Sequence, residues 1–321
     1  MTKIVEEKWI ASFWRRIGAF FIDAVLLGVI GFILGTLFKE HFVQMGSTGR
    51  LVGFLIALTY FSVMNSKLFN GQTVGKRLIN VKVVNAENEA VSVGISFFRY
   101  CILGLPFFLN GVYFNEESLP EIVTYLLTLV VFGGMLSTIY LYLFNRVTRQ
   151  SLHDLCARTF VVNANSERET IGNVWKPHYF MVVCVLAASI ISPVLMLSYI
   201  ESSNLISEQS HQELMHMRGR LLLLPEVNQA AVMVKQSSIS STSSETRLSK
   251  YLQIQTFINN PNVDNKELAL AMATAAHENF SELEELQAIN VILTYGFDIG
   301  IASLVENHSH QFNPTEVGQL K

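Results

Sequence analysis

The stretch FWRRIGAFFIDAVLLGVIG, Phe13 to Gly31, decides the reading of this chain. It is apolar enough to enter a bilayer, yet it holds one carboxylate, Asp23, and has Arg15 and Arg16 at its mouth. An unpaired carboxylate facing lipid is costly, so Asp23 is expected to point into a helix bundle. Seven residues make nearly two helical turns, which puts Arg16 and Asp23 on one face, about 10 Å apart along the axis.

Working outward, 17–38 gives a first span with Asp23 its only charge. A span needs about 20 apolar residues. Further spans are expected over 51–69, 98–114, 122–144 and 179–200. The run 98–114 is short and carries Pro106. Residues 39–50 read as a polar connection. The first run is too long for a secretory signal core, so it is expected to stay uncleaved.

Composition agrees. Of 321 residues, 50% are hydrophobic and only 15% charged, against about 25% charged in soluble proteins. A net charge of -3 argues against nucleic acid as a partner. Cys101, Cys156 and Cys184 are too scattered for a disulfide framework or a zinc site, and no metal or cofactor is expected. No nucleophile, base and orienting group come together in the sequence, so an enzyme is not expected.

Lys and Arg concentrate in residues 1–16, 66–99 and 145–177, whereas 39–50 and 115–121 hold only Lys39 and Arg50. Cytoplasmic loops carry the excess of positive charge. For the three basic segments to share one side, 98–114 must cross. The expected fold is therefore an α-helical multispanning membrane protein with five transmembrane helices. Its amino terminus is cytoplasmic, and 164–178 is a cytoplasmic linker.

Residues 201–321 then form a small α+β extracytoplasmic C-terminal domain. Its order reads α-β-β-α-β-β, with a helix over 201–222 and strands over 230–234, 252–256, 289–295 and 299–304. The second helix would begin with a capping box of Asp264 and Glu267. Residues 237–244 read as a loop. The domain has a net charge of -7, which offers nothing to anionic lipid. His308 and His310 lie two apart, on one face of a strand; alone they are a weak metal signal.

Three motifs carry a resemblance. RRIGAFFID at 15–23, GQTVGKRLINVKVV at 71–84 and SLHDLCARTFVV at 151–162 occur in order. Over residues 9–163 the chain resembles the RDD family of membrane proteins, named for one arginine and two aspartates. The resemblance places these on Arg16, Asp23 and Asp154, with Arg15 an alternative to Arg16. It implies a multispanning domain (1–163) of a family for which transport, including that of ions, has been proposed. The chain departs from the family pattern at Arg158, where a small residue is usual.

Each motif has two readings. Asp23 is either a cation- or proton-binding carboxylate in a pathway or a structural one paired with Arg16, Arg77 or a backbone donor. Asp154 is expected to cap a helix or pair with Arg146 or Arg149. Lys76, Arg77 and Lys82 form a cytoplasmic basic loop suited to lipid headgroups. Gly71 and Gly75 serve backbone geometry, and 79–84 would form a strand or hairpin with 90–93.

Two functions follow: a transporter of a small ion or solute, or a scaffold presenting 201–321 to an envelope protein partner. Short loops suit a bacterial plasma (inner) membrane, with the C-terminal domain periplasmic. Gly28, Gly31 and Gly35 recur at close-packing spacing and suggest a homodimer.

Overall fold

The computed structural model describes residues 8–112, 120–170, 172–202, 208–241, 244–283 and 286–319. The expected acidic connection 115–121 lies almost wholly outside these. Contacts divide the chain into two compact units: residues 1–34, 47–195 and 299–302 form one, and 35–46, 196–298 and 303–321 the other.

Among the described residues four helices are long and apolar enough to cross a membrane, spanning Phe13–Leu37, Lys39–Met64, Glu121–Phe144 and Lys176–Leu195. The first is α1 (Phe13–Leu37). The second is α2 (Lys39–Met45) joined through a 3-10 turn to α3 (Gly49–Met64). After α4 (Val74–Ile79) and strand β1 (Val81–Val84) comes α5 (Val93–Leu109), the shorter apolar helix with Pro106 inside it. It starts before 98 and ends before 114. The third long helix is α6 (Glu121–Thr128) and α7 (Gly134–Phe144), joined by a π-helical turn. Then follow α8 (Leu152–Ala157), β2 (Phe160–Asn163) and α9 (Lys176–Ser202), which carries Pro193 within it.

The first unit departs from the sequence reading in its strand pairing. β1 pairs antiparallel with β2, not with 90–93, in the register Val81↔Asn163 to Val84↔Phe160. The backbone at 9–11 adds to the outer edge: Ala11 N donates to Val161 O, and Asn163 N to Trp9 O. Buried Val81, Val83, Val161 and Ala19 form one small core beneath, and Trp9, Val84 and Val162 another. A Cβ on Gly28 or Gly31 would meet Ile301 of the same unit. In the other unit Gly35 lies against Phe297. Each of these glycines thus has a close neighbour within its own unit.

The second unit keeps the expected element order: α10 (Glu208–Leu221), β3 (Val227–Ser241), β4 (Ser244–Ile258), α11 (Lys266–Asn279), β5 (Ala288–Asp298), β6 (Ser303–Phe312), and a short terminal helix, α12 (Pro314–Gln319). The sheet order is β3-β4-β5-β6, with only β4 and β5 parallel. Met217 and Leu221 of α10 and Met272 and Ala276 of α11 bury against Leu252, Ile254, Ile289 and Val291. The alternation of Leu252, Ile254 and Thr256 does mark one buried face.

Four local expectations fail. The last strand is Ser303–Phe312 rather than 299–304, and 299–302 lie outside it. The serine tract lengthens β3 and β4 through backbone pairing up to Ser241↔Ser244, apart from 242 and 243, which are not described. Asn265, not Asp264, caps α11, its side chain accepting from Leu268 N at 3.1 Å. Residues 39–45 are helical rather than a polar connection. Phe42 and Val43 of α2 are buried, Phe42 lies 6.2 Å from Phe297 between ring centres, and Asn228 Nδ2 donates to Val43 O at 2.9 Å.

Candidate functional site

The chemistry of the first unit gathers round two carboxylates held in different ways. Asp154 sits in the first turn of α8 and is fully buried. Arg16 Nη2 donates to its Oδ2 at 2.6 Å. Arg99 Nε and Nη2 donate to Oδ1 at 2.9 and 2.7 Å, and Thr159 Oγ1 does so at 3.1 Å. Both arginines are buried, and Arg16 also donates to Arg149 O and stacks on the Tyr142 ring. The two guanidinium groups outweigh burial and hold the Asp154 carboxyl far below the usual carboxylate range. The expected partners, Arg146 and Arg149, give way to Arg16 and Arg99, because α1 and α5 bring these two to the start of α8.

Asp23, also fully buried, has no arginine. Tyr60 Oη donates to it at 2.7 Å, Thr73 Oγ1 at 2.5 Å and Gly75 N at 2.8 Å. Of the readings for Asp23, the backbone donor is the one found, and Arg16 is engaged elsewhere. The GQTVGKRL motif builds this cradle. Thr73 caps α4, accepting from Lys76 N at 3.2 Å while donating to Asp23. Gly75 must lack a Cβ, which would strike Ala19 O and lie 3.0 Å from Asp23 Cγ. Gly71 turns the chain at φ +71°.

A cavity of about 220 Å³ opens beside the Asp154 cluster. Its polar lining is Arg16, Arg99, Lys76, His153, Thr138 and Tyr142; among the described residues neither aspartate lines it. Lys76 is half-buried and turned to the Phe61 ring, 5.9 Å away. It thus separates from exposed Arg77 and half-buried Lys82, which line a different, polar pocket with Asn70, Gln72 and Asn80. Burial, with the Arg99 charge, lowers Lys76 to about 7. Burial likewise lowers His153 to about 3, so its ring is neutral at pH 7. His153 Nε2 lies 3.6 Å from Asp154 Oδ2, while His153 Nδ1 and Thr138 Oγ1 are buried without a hydrogen-bond partner.

The sequence reading grouped Arg16, Asp23 and Asp154 as one charge cluster; the structure joins Arg16 to Asp154, whereas Asp23 is held separately by Tyr60, Thr73 and Gly75. It missed Arg99. The signal was present, since Arg99 is the one charge in the run ISFFRYCILG at 95–104.

The fold and this charge arrangement define a helical membrane protein with a built polar site at one end of its bundle. Residues 10–158 of the chain match the model of the RDD family. It is similar to two proteins of Bacillus subtilis (strain 168). The uncharacterized protein YxaI is 28% identical over 140 residues, 35% of this chain and 92% of the relative. The uncharacterized protein YckC is 24% identical over 163 residues, 50% of this chain and 90% of the relative. No solved structure matches. Arg16, Asp23 and Asp154, on which the resemblance places the arginine and two aspartates, fall on the two carboxylate centres.

Proposed function

We propose that the chain is a five-span membrane carrier for a small ion or solute, with the cavity beside Asp154 as its binding site. The observation that carries this reading is the lining. Three cationic side chains, Arg16, Arg99 and Lys76, converge on one space, so an occupant with acceptor groups fits. The positive lining favours an anion, or the anionic end of a solute, over the cation that Asp23 alone suggests. Asp23 is then an anchor for α4. Lys76 titrates near neutrality, which lets occupancy follow the proton.

The five-span reading rests on parity. β1 and β2 are hydrogen-bonded, so both lie on one side of the membrane, and an even number of spans must separate them. The segments between are α5 and the α6–α7 helix, so α5 crosses if that long helix does. At 17 residues it reaches about 25 Å, just short of a hydrocarbon core of about 30 Å. The second unit gives the same parity, since it contains both 35–46 and 196–298. With the basic segments cytoplasmic, both of these are extracytoplasmic.

The test is flux in proteoliposomes, with a pH-sensitive dye inside and gradients of chloride, phosphate or acetate, and of sodium or potassium. Anion-driven flux, lowered at least about tenfold in Lys76→Gln and losing its pH dependence near 7, is the expected result. Absence of flux in the wild type with every ion overturns it in favour of the scaffold. That second reading is favoured by the separate core of the C-terminal domain. Its truncation test needs care, because a chain ending at residue 200 would uncover Phe42 and Val43.

A further inference from the structure

We propose that Asp264, His308 and His310 of the C-terminal domain form a binding site for a divalent transition-metal ion of the zinc class. The site is separate from the cavity, and the proposal stands whether or not the chain transports anything.

The backbone prepares it. His308 and His310 alternate along β6 and so share a face; pairing with Leu293 and Val291 of β5 fixes their register. Their ring centres are 4.6 Å apart. Asp264 is 44 positions upstream of His308, but it directly precedes Asn265, whose cap fixes the start of α11. This brings Asp264 Oδ1 to 3.4 Å from His308 Nε2. One ligand atom from each of the three lies within 4.8 Å of the other two.

Tetrahedral zinc with bonds of about 2.0–2.1 Å separates its ligand atoms by about 3.3 Å. Closing from 4.8 Å needs only side-chain rotation, and Asp264 and His308 are both exposed enough to rotate. His310 is the fixed member, only 8% exposed. Its Nε2 lies 3.3 Å from Val263 O. With its proton directed there, the Nδ1 lone pair remains for a metal. Ligating histidines typically give their second N–H to a carbonyl or carboxylate in this way. Two imidazoles and one carboxylate suit zinc, nickel, cobalt or copper, whereas calcium and magnesium prefer oxygen alone.

The experiment is calorimetric titration of the full chain, in detergent micelles and metal-free buffer, with ZnCl₂ alone. One saturable equivalent per chain is expected, undisturbed by excess MgCl₂. His308→Gln and Asp264→Asn should each weaken binding by about tenfold or more. Both positions are exposed, so these variants should fold, which near-normal melting temperatures without metal would verify. His277→Gln, outside the cluster, should bind as wild type. No saturable binding, or binding unchanged in both ligand variants, overturns the proposal; displacement by magnesium overturns the assigned metal class.

Discussion

Asp154 and Asp23 are the same chemical group, both fully buried in the same unit, and the chain stabilises them by opposite means. Asp154 is neutralised by two buried guanidinium groups. Asp23 is solvated by a phenol, a hydroxyl and a backbone N–H, all uncharged. In this chain Arg16, Asp23 and Asp154 therefore do not form a single triad. They belong to one ion-pair centre joining three helices and one neutral cradle joining α1, α3 and α4.

The contrast can be broken by measurement. Asp154→Asn leaves two arginines buried without a counter-charge, and breaking such a pair costs about 3–5 kcal/mol. Thermal unfolding in micelles should show the largest loss here, and Arg99→Met should approach it. Asp23→Asn keeps an acceptor oxygen and strands no cation. Its cost should be nearer 1–3 kcal/mol, the range for a buried hydrogen-bonding group left poorly matched. Equal losses at the two sites would mean that the distinction between charge pairing and neutral solvation has no energetic content.

Acid sharpens it further. His153 has its folded pKa lowered from 6.5 to about 3. Below pH 6.5 the unfolded chain takes a proton that the folded one refuses, so stability falls as pH drops from 6.5 toward 3. The slope is at most about 1.4 kcal/mol per pH unit. Asp154, held below its ordinary 3.8, loses its contribution only as pH falls beneath that value. His153→Gln should therefore flatten the stability curve between pH 6.5 and 4. The smallest effect expected is a gain. Arg158 ends α8 at φ +53°, a left-handed conformation costing a side chain about 1–2 kcal/mol. Arg158→Gly should raise stability by about 1 kcal/mol, and a lower melting temperature would show that the arginine has a compensating contact.

That same residue shows how much was legible beforehand. The family's small residue at this place is explained by a helix end that turns left-handed, which backbone geometry reveals and composition does not. Apolar run length located the long helices, because bilayer thickness is a one-dimensional constraint. Alternation located β4, whose Leu252, Ile254 and Thr256 side chains are buried. The serine-rich ends of β3 and β4 were not legible, since backbone bonds alone extend them. Nor was α2, in which three apolar residues, Phe42, Val43 and Met45, are too few to set a period. Helical phase put Arg16 and Asp23 on one face, but phase does not reveal competitors. Asp154 is 138 positions away, and its hold on Arg16 is three-dimensional. Asp264 was hidden from the histidine pair for the same reason.

The pairing of β1 with β2 also orders events during synthesis. At about 5–20 residues per second, Val81 emerges several seconds before its register partner Asn163. Through that interval β1 bonds only to the preceding turn, Val83 N donating to Gly71 O, and its edge toward β2 is open. In the five-span reading proposed above, it cannot find its mate until the helices between have entered the bilayer and brought the chain back. Residues 9–11 wait longer still, since they bond to the far side of a strand not yet made. If α5 and the α6–α7 helix cross as proposed, the β1–β2 pair is a seal applied after them, and its closure records that this helical hairpin was inserted the right way round.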